Sequence, residues 1–246
     1  MTAPRLFAAE LDGALAPGRE VTLPPQAAHH AANVLRLRAG DAVTLFCGSG
    51  GEYAATIAQA ERRVVVVRVG AFSDVERESS LAATLVQAIA ASDAMEFAIR
   101  KSVELGANCV QPVTTARSAP LPAGPRAAQR HERWRNIAVA ACEQCGRNRI
   151  PEVRPLLPLA QWLRERERDA TGIVLAPVAE RTLAMIPPPR NLDVLVGPEG
   201  GLTDFEIGEA RRAGLEAVRL GPRVLRTETA GPTALAVAQS LWGDLR

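Results

Sequence analysis

Lysine is almost missing from this chain: of its 29 basic residues only Lys101 is a lysine, and the others are arginine. Cysteine is scarce as well, with Cys47, Cys109, Cys142 and Cys145 alone. The Cys142-x-x-Cys145 pair has no second CxxC, and His29, His30 and His131 do not stand at zinc-finger spacing. The pair falls in a helix-like stretch, RWRNIAVAACEQCGR, where cysteine serves as a small apolar residue, so no metal is expected. No apolar run approaches the roughly 18 residues that span a bilayer. The opening MTAPRLFAAELDG carries acidic residues and no sustained apolar stretch, so it does not read as a signal peptide, and a cytoplasmic location is expected. A strong net charge is lacking too: +2 overall gives no argument for nucleic acid by itself.

What is present is ample core material, 47% hydrophobic over 246 residues, enough for one large domain or a small one beside a medium one. GC-rich coding explains most of the arginine. It does not explain a single surviving lysine, whose compact ammonium guanidinium does not replace, so Lys101 is a candidate functional residue with chance survival as the alternative.

The texture changes along the chain. Up to about Phe72 the runs are short and β-like, namely RLFAAEL, AVTLFCG, EYAATIAQA and RRVVVVRVG, broken by Gly and Asp turns. One helical piece, PPQAAHHAANVLRL, interrupts them, which suggests a barrel of five or six strands with a single helix. The polar SDVERESS (73–80) reads as a linker. Beyond it strands and helices alternate: LAATLVQAIA, then a helix with Asp93 placed to cap and Glu96 three residues on, closed by Gly106. CVQPVTT, a long helix over 127–145, GIVLAP, LDVLVG, the LTDFEIGEARRAG helix, AVRLG and a closing TALAVAQSLWGDLR helix follow. This order predicts an α/β fold with a parallel sheet, and divides the chain into domains at 1–73 and 74–246.

Two loops carry the chemistry. The strand at 192–196 runs into Gly197-Pro198-Glu199-Gly200-Gly201, and a helix starts at a capping box, Thr203-x-x-Glu206. Glycines there let backbone approach a ligand, and a helix start offers free N–H groups, although a tight turn alone needs glycine as well. The loop is not GxGxxG, so a nicotinamide site fits poorly. The second loop, Gly221-Pro222-Arg223-Val224-Leu225-Arg226-Thr227-Glu228-Thr229-Ala230-Gly231, sets arginines, a glutamate and threonines at another strand end. One threonine is expected as an N-cap, and Pro232 is expected in the first helical turn, where proline is tolerated.

GPEGG followed by LGPRVLRTETA resembles the SPOUT (trefoil-knotted) methyltransferases, and within them the ribosomal RNA small subunit methyltransferase E family. The likeness extends in order through Arg5-Leu6-Phe7, HHAANVLRLRAGD, RKSVELGA and EQCGR. It implies a PUA-like β-barrel that binds RNA, then a SPOUT α/β trefoil-knot domain that holds S-adenosyl-L-methionine, in a homodimer. The implied reaction is methylation of uridine N3 in 16S rRNA within the assembled small subunit. Residue by residue, the resemblance assigns the cofactor to Leu175, Ala176, Val196, Gly197, Glu199, Gly200, Gly201, Leu220, Gly221, Val224, Leu225, Arg226, Thr229 and Ala230, with the Leu220 and Leu225 amides at the adenine edge. Arg226, Glu228 and Glu199 are the catalytic candidates, and Arg5, His30, Arg36, Arg38, Lys101 and Arg147 the RNA-binding ones. The chain departs from the family pattern at AIAASDAME, where a lysine-glycine pair is usual, at Gly231-Pro232 and at Cys145.

Methyl transfer to N3 needs alignment of donor and acceptor and loss of the N3 proton. Arg226 is suited to stabilise the resulting anion, and Glu228 or Glu199 to take the proton. With Tyr53, three tryptophans and five phenylalanines the chain has few rings for stacking, so RNA binding is expected to rest on arginine–phosphate contacts and to weaken with salt. Two alternatives stay open: a SPOUT enzyme acting on another RNA acceptor, and an RNA-binding assembly factor without catalysis.

Overall fold

Alternation with period two before residue 73 becomes a five-stranded mixed sheet. The computed structural model describes residues 3–62, 64–119 and 124–245. The chain divides into two compact units, Met1–Glu78 with Cys142–Ile150, and Ser79–Ala141 with Pro151–Arg246. In the first unit the strands are β1 (Arg5–Phe7), β2 (Glu20–Thr22), β3 (Ala42–Phe46), β4 (Glu52–Ala60) and β5 (Val65–Ser73), ordered β1-β3-β4-β5-β2. β1 runs parallel to β3 and the other pairs are antiparallel. Every second residue of β4 and β5 points inward, so Ala55, Ile57, Val65, Val67 and Val69 meet Leu6, Val43 and Leu45 in one core. Helix α1 (Pro25–His29) seals it with Ala27 and Ala28, then runs straight into a π-helical turn, His30–Val34. Arg36, just beyond, holds a positive φ of 56°, unusual outside glycine.

The second contribution to this unit comes from far along the chain. Glu143 accepts the Phe7 N–H at 3.0 Å, and Arg149 bridges to Gly48 and Ser49. The EQCGR segment thus serves the first unit by holding β1. Cys142 is buried there and Cys145 half-buried, and the neighbouring Cys145 sulfur and burial both push the Cys142 thiol up.

In the second unit strands and helices alternate: β6 (Ala82–Ala88), α2 (Ser92–Glu104), β7 (Ala107–Thr114), α3 (Pro125–Cys145), β8 (Glu152–Val153), β9 (Leu157–Pro158), α4 (Leu159–Glu165), β10 (Thr171–Leu175), β11 (Arg181–Thr182), β12 (Asn191–Val196), α5 (Asp204–Arg212), β13 (Leu215–Arg219) and α6 (Thr227–Trp242). The sheet is ordered β11-β13-β10-β12-β6-β7-β8, with β9 also on β7, and its pairs are parallel. Burial on both faces accounts for the nearly continuous apolar runs. Leu85, Ile173, Val194 and Val218 face Ala234, Leu235 and Ala238 of α6. Val86, Val174 and Leu195 face Trp162 and Leu163 of α4 and Ala210 of α5. Between the layers lies a buried ion pair, Arg166 donating to Asp193 at 3.0 and 3.1 Å.

Helix starts follow the local chemistry unevenly. The Thr203–Glu206 capping box forms as expected. The α2 start differs: Ala91 is its N-cap, so Asp93 falls inside the first turn and makes no cap, and the N–H of Ala91 is taken by the Glu199 carboxylate at 2.7 Å. α6 starts earlier than expected, at Thr227, with Arg226 as N-cap and no side-chain cap. Pro232 consequently sits in the second turn, inside the helix. Next to it Gly231 lets α6 lie close on β6, since a Cβ there would meet Leu85 at 2.7 Å.

Candidate functional site

Ligands of parallel sheets collect at the carboxyl ends of the strands. Here β10, β12 and β13 are adjacent, and the segments leaving them enclose a cavity of about 390 Å³. Leu175 to Pro177, Val196 to Glu199 with Gly201 and Leu202, and Val218 to Gly221 with Arg223 to Thr227 and Ala230 form its wall, completed by Ile207.

The wall is built from backbone as much as from side chains. At Gly197 a Cβ would come within 2.9 Å of the Leu202 nitrogen, so only glycine lets the loop turn back on itself. Gly201 and Gly221 take φ of +71° and +88°, the left-handed region. Thr227 donates its hydroxyl to the Gly197 carbonyl at 2.6 Å and accepts from the Gln87 side-chain amide at 2.9 Å. Gln87 is fully buried, and its amide also donates to the Ala88 carbonyl at 3.0 Å. One relay therefore joins β6, the end of β12 and the start of α6.

Arg117, which does not line the cavity, donates to the Gly200 carbonyl at 2.8 Å. Glu206 accepts the N–H groups of Thr203 and Ala116, each at 2.8 Å. Burial alone would raise the Glu206 carboxyl, but these two amides, the Thr203 hydroxyl and the Arg117 charge hold it below the usual range. Apolar walls, glycine-lined backbone and a size within the roughly 300–1,000 Å³ of small-molecule pockets suit a nucleoside-sized ligand. A larger concavity, about 730 Å³, is an open groove between α2 and α3 lined by Arg100, Glu132, Arg133, Asn136 and others, away from the strand ends.

Of the residues expected around a cofactor, Leu175, Ala176, Val196, Gly197, Glu199, Gly201, Leu220, Gly221, Val224, Leu225, Arg226 and Ala230 line the cavity. Gly200 and Thr229 are not among its lining residues, and neither is Glu228, in the first turn of α6. The sequence reading missed Thr227 as a strut because a threonine at a helix start reads first as a cap. It missed Arg117 because a lone arginine after a strand carries no pattern.

The residues expected to meet RNA separate into two groups. Arg36 and Arg38 are exposed and His30 is half-buried, all on the first unit. Lys101 is half-exposed and bonds both Glu104 oxygens at 2.9 Å. Arg5 and Arg147, by contrast, are engaged by partners inside the first unit. Arg5 pairs with Glu52, donates to the Arg147 carbonyl at 3.1 Å and lies over the Phe46 ring at 4.7 Å. Arg147 is buried against Glu78, its Nε donating at 2.8 Å.

Comparison with known proteins bears on this geometry. Residues 77–239 match the family model described as an RNA methyltransferase domain, and residues 23–69 the one described as an RNA methyltransferase PUA domain. The ribosomal RNA small subunit methyltransferase E of Mycobacterium bovis is 35% identical over 87% of this chain and 84% of its own length. The protein of the same name from Buchnera aphidicola is 31% identical over 92% of each. The chain belongs to the ribosomal RNA small subunit methyltransferase E family. Among solved structures, that of the Neisseria gonorrhoeae family member, bound to S-adenosyl methionine, aligns with a TM-score of 0.92 at 37% identity over the whole of both chains. A Legionella pneumophila methyltransferase with bound cofactor aligns at 0.93 and 39%, again over both whole chains. The fold agrees with the expected α/β class, an RNA methyltransferase domain with a parallel sheet accompanied by a PUA-like domain with a separate mixed sheet.

Proposed function

We propose that the chain is an S-adenosylmethionine-dependent methyltransferase of 16S ribosomal RNA, acting at N3 of a uridine in the small subunit. The observation that carries this is the cavity at the ends of β10, β12 and β13, walled by GPEGG and LRTET backbone in a family whose members are solved with the cofactor bound. S-adenosylmethionine supplies a methyl group on a sulfonium, already electrophilic. What the chain contributes is position and charge. The amides of Leu220 and Leu225 suit the adenine edge, and Gly197, Gly201 and Gly221 leave room for the remainder. Arg226, exposed at the α6 N-cap and on the cavity wall, stabilises the anion left when N3 loses its proton. Glu199 lines the cavity and Glu228 does not, so Glu199 is the better-placed proton acceptor of the two.

The arginines at 36 and 38, with His30, form an RNA-facing patch on the PUA-like unit, and Lys101 a phosphate contact on the other. A homodimer agrees with the partly exposed Val237 and Leu241 on the last helix. The reading implies work in the cytoplasm on small subunits; among the described residues no helix is long and apolar enough to cross a membrane. The test is methyl incorporation from labelled cofactor into 30S subunits, naked 16S rRNA and transfer RNA, with nucleoside mass spectrometry. Label recovered as 3-methyluridine from 30S supports the proposal. Label in transfer RNA alone, or none despite cofactor binding, overturns it.

A further inference from the structure

A loop with glycine at 197, 200 and 201 has little stiffness of its own, so something must fix its backbone before a ligand arrives. Gly197 is fixed from inside by Thr227, and Gly201 by a turn bond from its N–H to the Pro198 carbonyl at 2.8 Å. Gly200 is fixed from outside. We propose that Arg117 is a positioning residue for the cofactor loop, bracing Gly200 from the side opposite the cavity; this rests on the reading of that cavity as the S-adenosylmethionine site.

Arg117 reaches Gly200 in two ways. Its guanidinium donates to the Gly200 carbonyl at 2.8 Å, a charge-assisted bond. Its aliphatic stem fills the space where a Gly200 Cβ would stand: such an atom would lie 3.3 Å from both Cβ and Cδ of Arg117. Gly200 lies outside the left-handed region, so it is this contact and not backbone conformation that a side chain there would disturb. While Pro198, Glu199, Gly201 and Leu202 line the cavity, neither Gly200 nor Arg117 is part of the wall. Arg117 therefore acts through the loop.

The brace is itself anchored. Ser118 accepts the Thr115 N–H through its hydroxyl at 3.0 Å and returns its own N–H to the Thr115 carbonyl at 3.2 Å, closing a tight turn around Arg117. Ala116 donates to Glu206 Oε1 at 2.8 Å, and Oε2 of the same carboxylate binds Thr203 at the start of α5. The segment after β7 and the loop after β12 are thus clasped to one glutamate, with Arg117 spanning the gap beside it. An ammonium would offer the carbonyl a donor but not the flat, packed fork.

The experiment is calorimetric titration of S-adenosylmethionine into wild type, Arg117→Ala, Arg117→Lys, Gly200→Ala and the Arg117→Ala/Gly200→Ala double variant, with steady-state methylation of 30S subunits. Arg117→Ala is expected to raise the cofactor Kd and KM roughly tenfold, the loss of one charge-assisted bond. kcat at saturating cofactor, KM for the subunit and the melting temperature stay at wild-type values, and Arg117→Lys recovers part of the affinity. Gly200→Ala weakens cofactor binding in the wild-type background and does so less in the Arg117→Ala background, where the stem beyond Cβ is gone. Unchanged cofactor Kd in Arg117→Ala overturns the proposal, as does a rise confined to KM for the subunit, which would make Arg117 an RNA contact. Wild type that fails to bind the cofactor removes the underlying reading, and this proposal with it. Should Arg117→Ala lower the melting temperature, Arg117→Lys and Gly200→Ala still decide: wild-type affinity in both overturns the brace.

Discussion

The Thr227 hydroxyl donates to the Gly197 carbonyl across 2.6 Å, tying the first residue of α6 to the end of β12. Because Thr227 is buried and Gln87 supplies the third member of the relay, the two loops of the cavity are held at a fixed separation from within. Thr227→Val keeps the shape and removes the hydroxyl, leaving a buried carbonyl and a buried amide proton without partners. A loss of about 1–3 kcal/mol is expected. It should appear as weaker S-adenosylmethionine binding by calorimetry, with Thr227→Ser close to wild type.

Glu199 does from another element what the glutamate of a capping box does from within its own helix: it accepts the N-cap N–H of α2. Glutamine retains that acceptor but cannot take a proton. Glu199→Gln is therefore expected to keep the wild-type melting temperature and lose at least about a hundredfold in single-turnover methylation rate. Glu199→Ala loses both the rate and about 1 kcal/mol of stability, as missing caps do. Wild-type turnover in Glu199→Gln would move the proton acceptor elsewhere.

Arg147 and Arg38 are both arginines of the PUA-like unit, yet opposite outcomes are expected. The Arg147 side chain is 5% exposed and paired with Glu78. Arg147→Ala removes a buried guanidinium and its ion pair with the half-buried Glu78, and should cost about 3 kcal/mol in denaturant unfolding. Arg38 is exposed, so Arg38→Ala should leave stability unchanged, weaken RNA binding and reduce the dependence of binding on salt concentration.

Glu206 gives the large unit an acid-sensitive clasp. Its carboxyl is held below the ordinary value of 4.5, so the folded state favours the ionised form more than the unfolded chain does. That contribution is fully present above pH 4.5 and is lost as pH falls through the lower folded value. Glu206→Gln lacks it at every pH. The stability gap between wild type and Glu206→Gln, read by thermal melts, should be widest near neutrality and close in acid; a gap that widens in acid would contradict the clasp.

Local signals made much of this fold legible in sequence. The capping box at Thr203, the period-two runs of β4 and β5 and the apolar run of β12 each depend on neighbours within a few residues. β2, with three residues, and β8, β9 and β11, with two each, have no pattern long enough to read and exist because a partner strand fixes them. The same limit governs the site. GPEGG and LRTET were recognisable, whereas Arg117, Gln87 and the strut role of Thr227 depend on partners far away along the chain. The partners of Arg5 and Arg147 were illegible for that reason: an arginine in sequence carries a charge, and its partners Glu52 and Glu78 are set by folding.

The pairing of β6 with β12 has a consequence for how the protein is made. Ala82 meets Asn191, so more than a hundred residues must leave the ribosome before the central strand pair of the large unit can close. The small unit is delayed as well, since residues 142–150 are part of it. A nascent chain halted before Cys142 therefore lacks the material to finish either unit. Pairings between such distant strands form slowly and leave apolar edges uncovered meanwhile. Synthesis of this enzyme should thus depend on chaperone cover until its last third has emerged.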